Sequence, residues 1–187
     1  MLVPMILAAA LASDTTATKV DALPSKPDVP TTPVEVEAPA APASVAGIRP
    51  LLGARHTDDL PTQAALDTHG DASEGLRWIA SYSPSLVEAE RAAGLLALYS
   101  SADNAAFCTT LLSAPETHAK IRSGGARCLQ TQSLDASMQA TLVDALSDSD
   151  PRVGIAAADV LKAHPEVVKT LDLSTLPKAV QDRLSPQ

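Results

Sequence analysis

The residues able to carry catalysis or bind a metal are few and scattered along this chain of 187 residues. The four histidines, His56, His69, His118 and His164, do not cluster in the sequence. No Cys-x-x-Cys or His-x-x-x-His pair provides the ligand spacing of a zinc site, and no Gly-x-Ser-x-Gly element indicates a serine hydrolase. We therefore predict no catalytic, cofactor-binding or metal-binding residue, no cofactor, and a protein that is not an enzyme.

The two cysteines, Cys108 and Cys128, leave two alternatives open, a disulfide or two free thiols. A helix pair that turns near Pro115 displaces Cys128 by roughly 9 Å along the helix axis from the position level with Cys108. Disulfides usually join Cα atoms only about 4.4–6.8 Å apart. We expect two buried free thiols, although export from the cytoplasm would permit the bond.

Four basic residues form a candidate binding surface: Arg91, Arg122, Lys120 and Arg127. Arg91 and Arg122 take equivalent places in two similar helical segments, and arginine forks bind carboxylates in pairs. A ladder of this kind is a hypothetical receptor for an acidic peptide or a carboxylate. The alternative, which we favour, is that each arginine solvates its helix or pairs with Glu88, Glu90 or Glu116.

The composition limits which fold classes and which kinds of partner are expected. Aromatic residues make up 2% of the chain, whereas apolar residues make up 45% and are mostly Ala, Leu and Val, a combination that favours an all-α fold. The net charge of −8 disfavours binding to nucleic acid. The chain also lacks an apolar run of the roughly 18 residues that a membrane-spanning helix needs.

Residues 1–12 resemble a signal peptide. Leu2 to Ala12 is an apolar run of suitable length, and Ala10-Leu11-Ala12 provides small residues around a cleavage point before Ser13. We predict a periplasmic or secreted protein. The alternative is a disordered, Ala-rich start of the chain.

Residues 13–60 form a Pro-, Ala- and Thr-rich segment in which neither helix nor central strand is expected to propagate. We predict a disordered, semi-rigid linker. The alternative is a ligand for a partner domain, because four prolines recur at every third residue, the period of a polyproline II helix. These are Pro24, Pro27, Pro30 and Pro33.

Residues 61–187 change to the period of helices separated by short turns. Asp71 followed by Glu74, and Ser85 followed by Glu88, are typical of helix N-termini. Further starts are predicted at Asp103, Pro115, Asp135 and Asp150-Pro151. Small residues followed by large aliphatic residues recur about every 31 to 32 residues, which predicts repeated helix pairs.

The segment 148–161, with the sequence DSDPRVGIAAADVL, resembles a HEAT-like repeat of the short bacterial type found in bilin lyases. The resemblance covers about three repeats, at 72–100, 103–130 and 135–164, and a C-terminal helical cap at 166–184. It implies an all-α solenoid, and with the export signal it implies a non-enzymatic module that binds or scaffolds a protein or peptide. The alternatives are a structural spacer in an envelope assembly and a HEAT-fold enzyme, such as a lyase or a DNA-repair glycosylase, without identifiable catalytic residues.

Overall fold

The computed structural model describes residues 38–53 and 60–185, and this part of the chain is helical and contains no strand. Its helices are α1 (Ser44–Leu51), α2 (Gln63–Asp67), α3 (Ala72–Tyr82), α4 (Leu86–Leu95), α5 (Ala102–Ser113), α6 (Ala119–Cys128), α7 (Ala136–Ala145), α8 (Pro151–Leu161), α9 (Pro165–Val168) and α10 (Lys178–Leu184). The predicted all-α class is confirmed. The signal-like segment 1–12 and most of the predicted linker lie outside the described residues.

Four of the predicted helix starts are capped by the side chains that the sequence indicates. Asp71, Ser85 and Asp135 each accept a hydrogen bond from the backbone N–H three residues further on, and Asp150 accepts one from the N–H two residues further on. Each bond satisfies one of the donors that the first helical turn leaves without a partner. No helix in the described residues has the length and apolar character needed to cross a membrane.

Two predicted starts are displaced. The hydroxyl of Ser101, not the carboxylate of Asp103, caps α5 by accepting a hydrogen bond from the N–H of Asn104 at 3.1 Å. α6 begins after His118 and not at Pro115, because residues 114–118 form a connection of five residues between α5 and α6. The turn of this helix pair is therefore centred on residue 116, about one residue later than predicted.

The later turn explains why the expectation of two free thiols is wrong. Cys108 and Cys128 form a disulfide, with their Cα atoms 6.1 Å apart. A Cβ atom on Gly125 would lie 2.9 Å from the carbonyl oxygen of Cys108, so this part of α6 is level with Cys108. Cys128 follows Gly125 by three residues, about 4.5 Å along the helix axis, which is half of the offset assumed from a turn at Pro115. The two sulfur atoms can therefore meet between α5 and α6.

The helices pack as successive hairpins. α3 packs on α4, α5 on α6 and α7 on α8, while α4, α6 and α8 also pack side by side. α6 therefore lies at the centre of the domain, in contact with α4, α5 and α8. We call α4, α6 and α8 the second helices. At the C-terminal end, α10 packs on α8 and buries Val180 and Leu184.

The helical domain begins earlier than the predicted boundary at residue 61. α1 packs on α3 and buries Val45 and Ile48, and Leu52, which directly follows α1, is also buried, so these residues do not belong to a disordered linker. The spacing of these apolar residues suits one face of a helix. Pro50 lies in the last turn of α1, where its lack of an N–H removes only one helical hydrogen bond, so the helix persists up to this end.

Candidate functional site

The second helices carry a groove made of two adjoining cavities. The first cavity, of about 510 Å³, lies along α4 and reaches the end of α6. It is lined by Leu60, Val87, Glu90, Arg91, Gly94, Leu95, Ala97, Arg127 and Gln130. The α4 members recur at three- and four-residue intervals because residues so spaced share one face of a helix.

The second cavity, of about 390 Å³, continues the first across α8 towards α10. It is lined by Arg127, Gln130, Ala156, Asp159, Val160, Lys162 and Arg183. Because both cavities include Arg127 and Gln130, they lie on either side of the C-terminal end of α6. We call the two together the second-helix groove, which is lined by residues of α4, α6, α8 and α10 and of adjoining segments.

Two ion pairs between neighbouring helices border the second-helix groove. Arg127 binds Glu90 across α6 and α4 at 2.8 Å, and Arg183 binds Asp159 across α10 and α8. The Arg127 side chain is 51% exposed, so solvent screens this pair and the guanidinium can exchange its partner at little cost. Apolar atoms of Val87 and Leu95 lie beside these charges. A surface of this kind suits a segment that presents both apolar and charged side chains.

Two of the four predicted ladder residues, Arg91 and Arg127, lie in the second-helix groove. Nη1 of Arg91 donates a hydrogen bond to the carbonyl oxygen of Leu52 at 2.6 Å, which ties α4 to the end of α1. Lys120 is half-buried in the first turn of α6, and its backbone N–H donates to Nδ1 of His118 at 3.2 Å.

Arg122 lies elsewhere. Its guanidinium binds both carboxylate oxygens of Asp148 and also donates to the carbonyl oxygen of Thr117 at 2.6 Å, and its side chain is only 11% exposed. Arg122 and Arg91 therefore form no common ladder. The reason is register: α6 begins 33 residues after α4, whereas Arg122 follows Arg91 by 31. A difference of two residues turns a helical side chain by about 200°.

Glu90, Gly94 and Gln130 line the groove and were not identified from the sequence as site residues. The sequence does indicate that residues of this segment share one face of a helix, because they follow each other at three- and four-residue intervals: Val87, Glu90 or Arg91, Gly94 and Ala97. Which of the faces of α4 remains uncovered depends on its packing against α3 and α6, and the spacing alone does not contain that information.

Each histidine of the described residues has a local structural role. Gly47 leaves room for the ring of His69, whose Nδ1 would be 2.2 Å from a Cβ atom at that glycine. His118 caps α6, and Nδ1 of His164 lies 3.4 Å from Glu166. His56 is outside the described residues, within which no three His, Cys, Asp or Glu side chains come together as metal ligands.

Tyr99 and Asp150, which lie outside the groove, are among the groups with shifted pKa values. Partial burial, followed by the hydrogen bond to Asp67 at 2.7 Å, raises the pKa of Tyr99 far above its usual value. Hydrogen bonds from the side chain and the backbone of Arg152 lower the pKa of Asp150 to about 2. The carboxylate of Asp150 thus stays ionised and caps α8 over most of the pH range.

Comparison with known proteins gives no match: no family model matches this chain, and neither does any curated protein or solved structure. The function is therefore argued from the geometry of the second-helix groove.

Proposed function

We propose that this protein is a non-enzymatic binding or scaffolding module that holds a protein or peptide segment in the second-helix groove. The observation that carries the proposal is the continuity of the groove across α4, α6, α8 and α10, with mixed charges beside apolar side chains. A surface that spans several stacked helices suits an extended polypeptide better than a compact metabolite. The net charge of −8 favours a polypeptide partner over a nucleic acid.

The HEAT-like nature of the repeats remains part of this proposal. It is supported by the regular spacing of the second helices, since α6 begins 33 residues after α4 and α8 begins 32 residues after α6. Polar contacts recur between neighbouring hairpins at a similar spacing. The hydroxyl of Tyr99 donates to Asp67, the hydroxyl of Ser73 donates to Asn104, and the hydroxyl of Ser100 donates to Gln132.

We also propose that the module acts in the periplasm or outside the cell. The apolar segment Leu2 to Ala12 and the small residues before Ser13 support export. The disulfide between Cys108 and Cys128 adds to this, because such bonds persist in oxidising compartments. Expression of the full chain in a bacterium, with intact-mass measurement of the purified product, tests the location. A cytoplasmic product that retains Met1 to Ala12 contradicts it.

Gly94 offers a way to block the groove without disturbing the core. A Cβ atom at Gly94 would have a single neighbour, the Cβ of Arg127 at 4.0 Å, so a larger side chain has room to project into the first cavity. Ala106 is an exposed residue of α5, outside the second helices, and provides the matched control.

The experiment compares the wild type with Gly94→Phe and Ala106→Phe as immobilised full chains in an envelope extract of the source organism. We expect a protein partner to be retained by the wild type and by Ala106→Phe, and to be lost with Gly94→Phe. Circular dichroism confirms that both variants keep the helical fold. A partner retained equally by all three proteins, or no protein retained by the wild type, contradicts the proposal.

A further inference from the structure

A second surface, separate from the second-helix groove, is formed by aromatic residues near the start of the domain. The chain contains only four aromatic residues, and two of them, Trp78 and Tyr82, lie one turn apart on α3. Their ring centroids are 5.5 Å apart, and the guanidinium carbon of Arg49 lies 6.0 Å from the centre of the Trp78 ring. We call these three residues the aromatic patch. Tyr82 is 42% exposed, so the patch continues to the surface.

The aromatic patch already holds a short Pro-containing segment. Nε1 of Trp78 donates a hydrogen bond to the carbonyl oxygen of Pro39 at 3.1 Å. Residues 38–42, with the sequence APAAP, have no regular secondary structure and precede α1. The residue before each proline is restricted to extended conformations, and the carbonyl of Pro39 is the one that accepts the indole hydrogen bond.

This arrangement contains the elements by which aromatic grooves recognise Pro-rich polypeptides. An indole N–H binds a carbonyl next to a proline, and neighbouring rings offer flat surfaces to the pyrrolidine rings. A proline-containing segment also loses little conformational entropy when it binds, because its backbone is already restricted. The exposed ring of Tyr82 adds aromatic surface beyond the Trp78 contact.

We propose that the aromatic patch is a binding site for extended Pro-rich polypeptide, and that residues 38–42 are its resident, displaceable occupant. This interaction is independent of the second-helix groove. Nε of Arg49 lies 3.3 Å from a carboxylate oxygen of Glu88, which balances the charge of this guanidinium within the domain. The preferred ligand is therefore a Pro-rich segment that is recognised through its carbonyl groups and its pyrrolidine rings.

Trp78 is the only tryptophan of the chain, so its fluorescence reports directly on the patch. The test compares acrylamide quenching of the full-length wild type with that of the double variant Pro39→Gly and Pro42→Gly. We expect stronger quenching in the double variant, because glycine removes the backbone restriction that favours docking. A synthetic peptide with the sequence of residues 33–42, PVEVEAPAAP, is then expected to reduce quenching of the double variant in a saturable manner. A control peptide with glycine in place of each proline is expected to have no effect.

Variants at Tyr82 test whether the aromatic ring, rather than the hydroxyl group, contributes to peptide binding. In the Pro39→Gly, Pro42→Gly background, Tyr82→Phe keeps the ring and is expected to bind the peptide as before. Tyr82→Ser is expected to weaken binding by about fivefold, the effect of one aromatic contact. The wild type could also form a dimer in a concentration-dependent manner that the Pro39→Gly, Pro42→Gly variant does not. That result would support the aromatic patch as a site for Pro-rich segments and would identify the bound segment as that of a second copy of the chain. Absence of any peptide effect on that variant, or equal effects of both peptides, overturns the proposal.

Discussion

The close contact between α4 and α6 makes a quantitative prediction about Gly124. A Cβ atom at this position would lie 2.5 Å from the carbonyl oxygen of Glu90 and 2.9 Å from the Cβ of Ala93. Both distances are shorter than real Cβ contacts, and one of the two atoms belongs to the backbone of α4. The Gly124→Ala variant therefore forces α4 and α6 apart. Overpacking of this kind typically costs about 1–3 kcal/mol.

Gly94 is the matched control for this substitution, because it also lies within a second helix but has open space at its Cβ position. In a helix interior, alanine stabilises the helix by up to about 1 kcal/mol relative to glycine, and both variants share this contribution. We expect Gly94→Ala to be as stable as the wild type or slightly more stable. The free energy of unfolding of Gly124→Ala should then lie about 1–3 kcal/mol below that of Gly94→Ala.

Urea unfolding followed by circular dichroism at 222 nm measures both values. With a slope of about 1–3 kcal/mol per molar urea, the two midpoints should differ by about 1 M. Equal slopes would show that the denatured states are comparable. A Gly124→Ala variant as stable as Gly94→Ala would refute the close approach of α4 and α6, and with it the central position of α6.

Three further predictions concern the rest of the domain. The disulfide joins cysteines with a sequence separation of 20, so its reduction should lower the free energy of unfolding by about 3 kcal/mol. Urea titrations with and without reductant measure this difference, and an unchanged unfolding midpoint would argue against the bond. Arg122→Ala should destabilise the domain by about 2–4 kcal/mol, because it leaves the partly buried carboxylate of Asp148 without its arginine partner. Arg127→Ala, which removes an exposed ion pair, should change stability by less than about 1 kcal/mol. Similar losses of stability for the two variants in thermal melts would contradict the structural role of Arg122. In a Tyr82→Phe background, where Tyr99 is the only tyrosine, absorbance at 295 nm should show ionisation well above pH 10. Since the pKa of Tyr99 is raised in the folded protein, its contribution to stability is complete below about pH 10 and is lost at higher pH, and ionisation near pH 10 with the fold intact would contradict the contact with Asp67.

Four of the six predicted helix starts are confirmed, because their signals are local. The caps at Asp71, Ser85, Asp135 and Asp150 depend only on a side chain and the next few backbone N–H groups. The all-α class follows from the composition for a similar reason, since Ala- and Leu-rich segments with few aromatic residues favour helices wherever they lie.

The contacts between helices were less predictable, because small errors in a connection change them completely. A turn centred about one residue later helps to bring Cys108 and Cys128 together, and a register difference of two residues removes Arg122 from the face of Arg91. α1 was assigned to the linker because prolines flank and enter it, whereas burial of Ile48 and Leu52 against the domain outweighs that local preference.

The measurement that tests the proposed function most directly is hydrogen–deuterium exchange of the full chain, with and without the partner retained by the wild type. We predict that the partner slows exchange mainly in α4, at the C-terminal end of α6 and in α8, the helices that border the second-helix groove. Protection confined to α5 and α7, with exchange in α4 and α8 unchanged, would contradict the account.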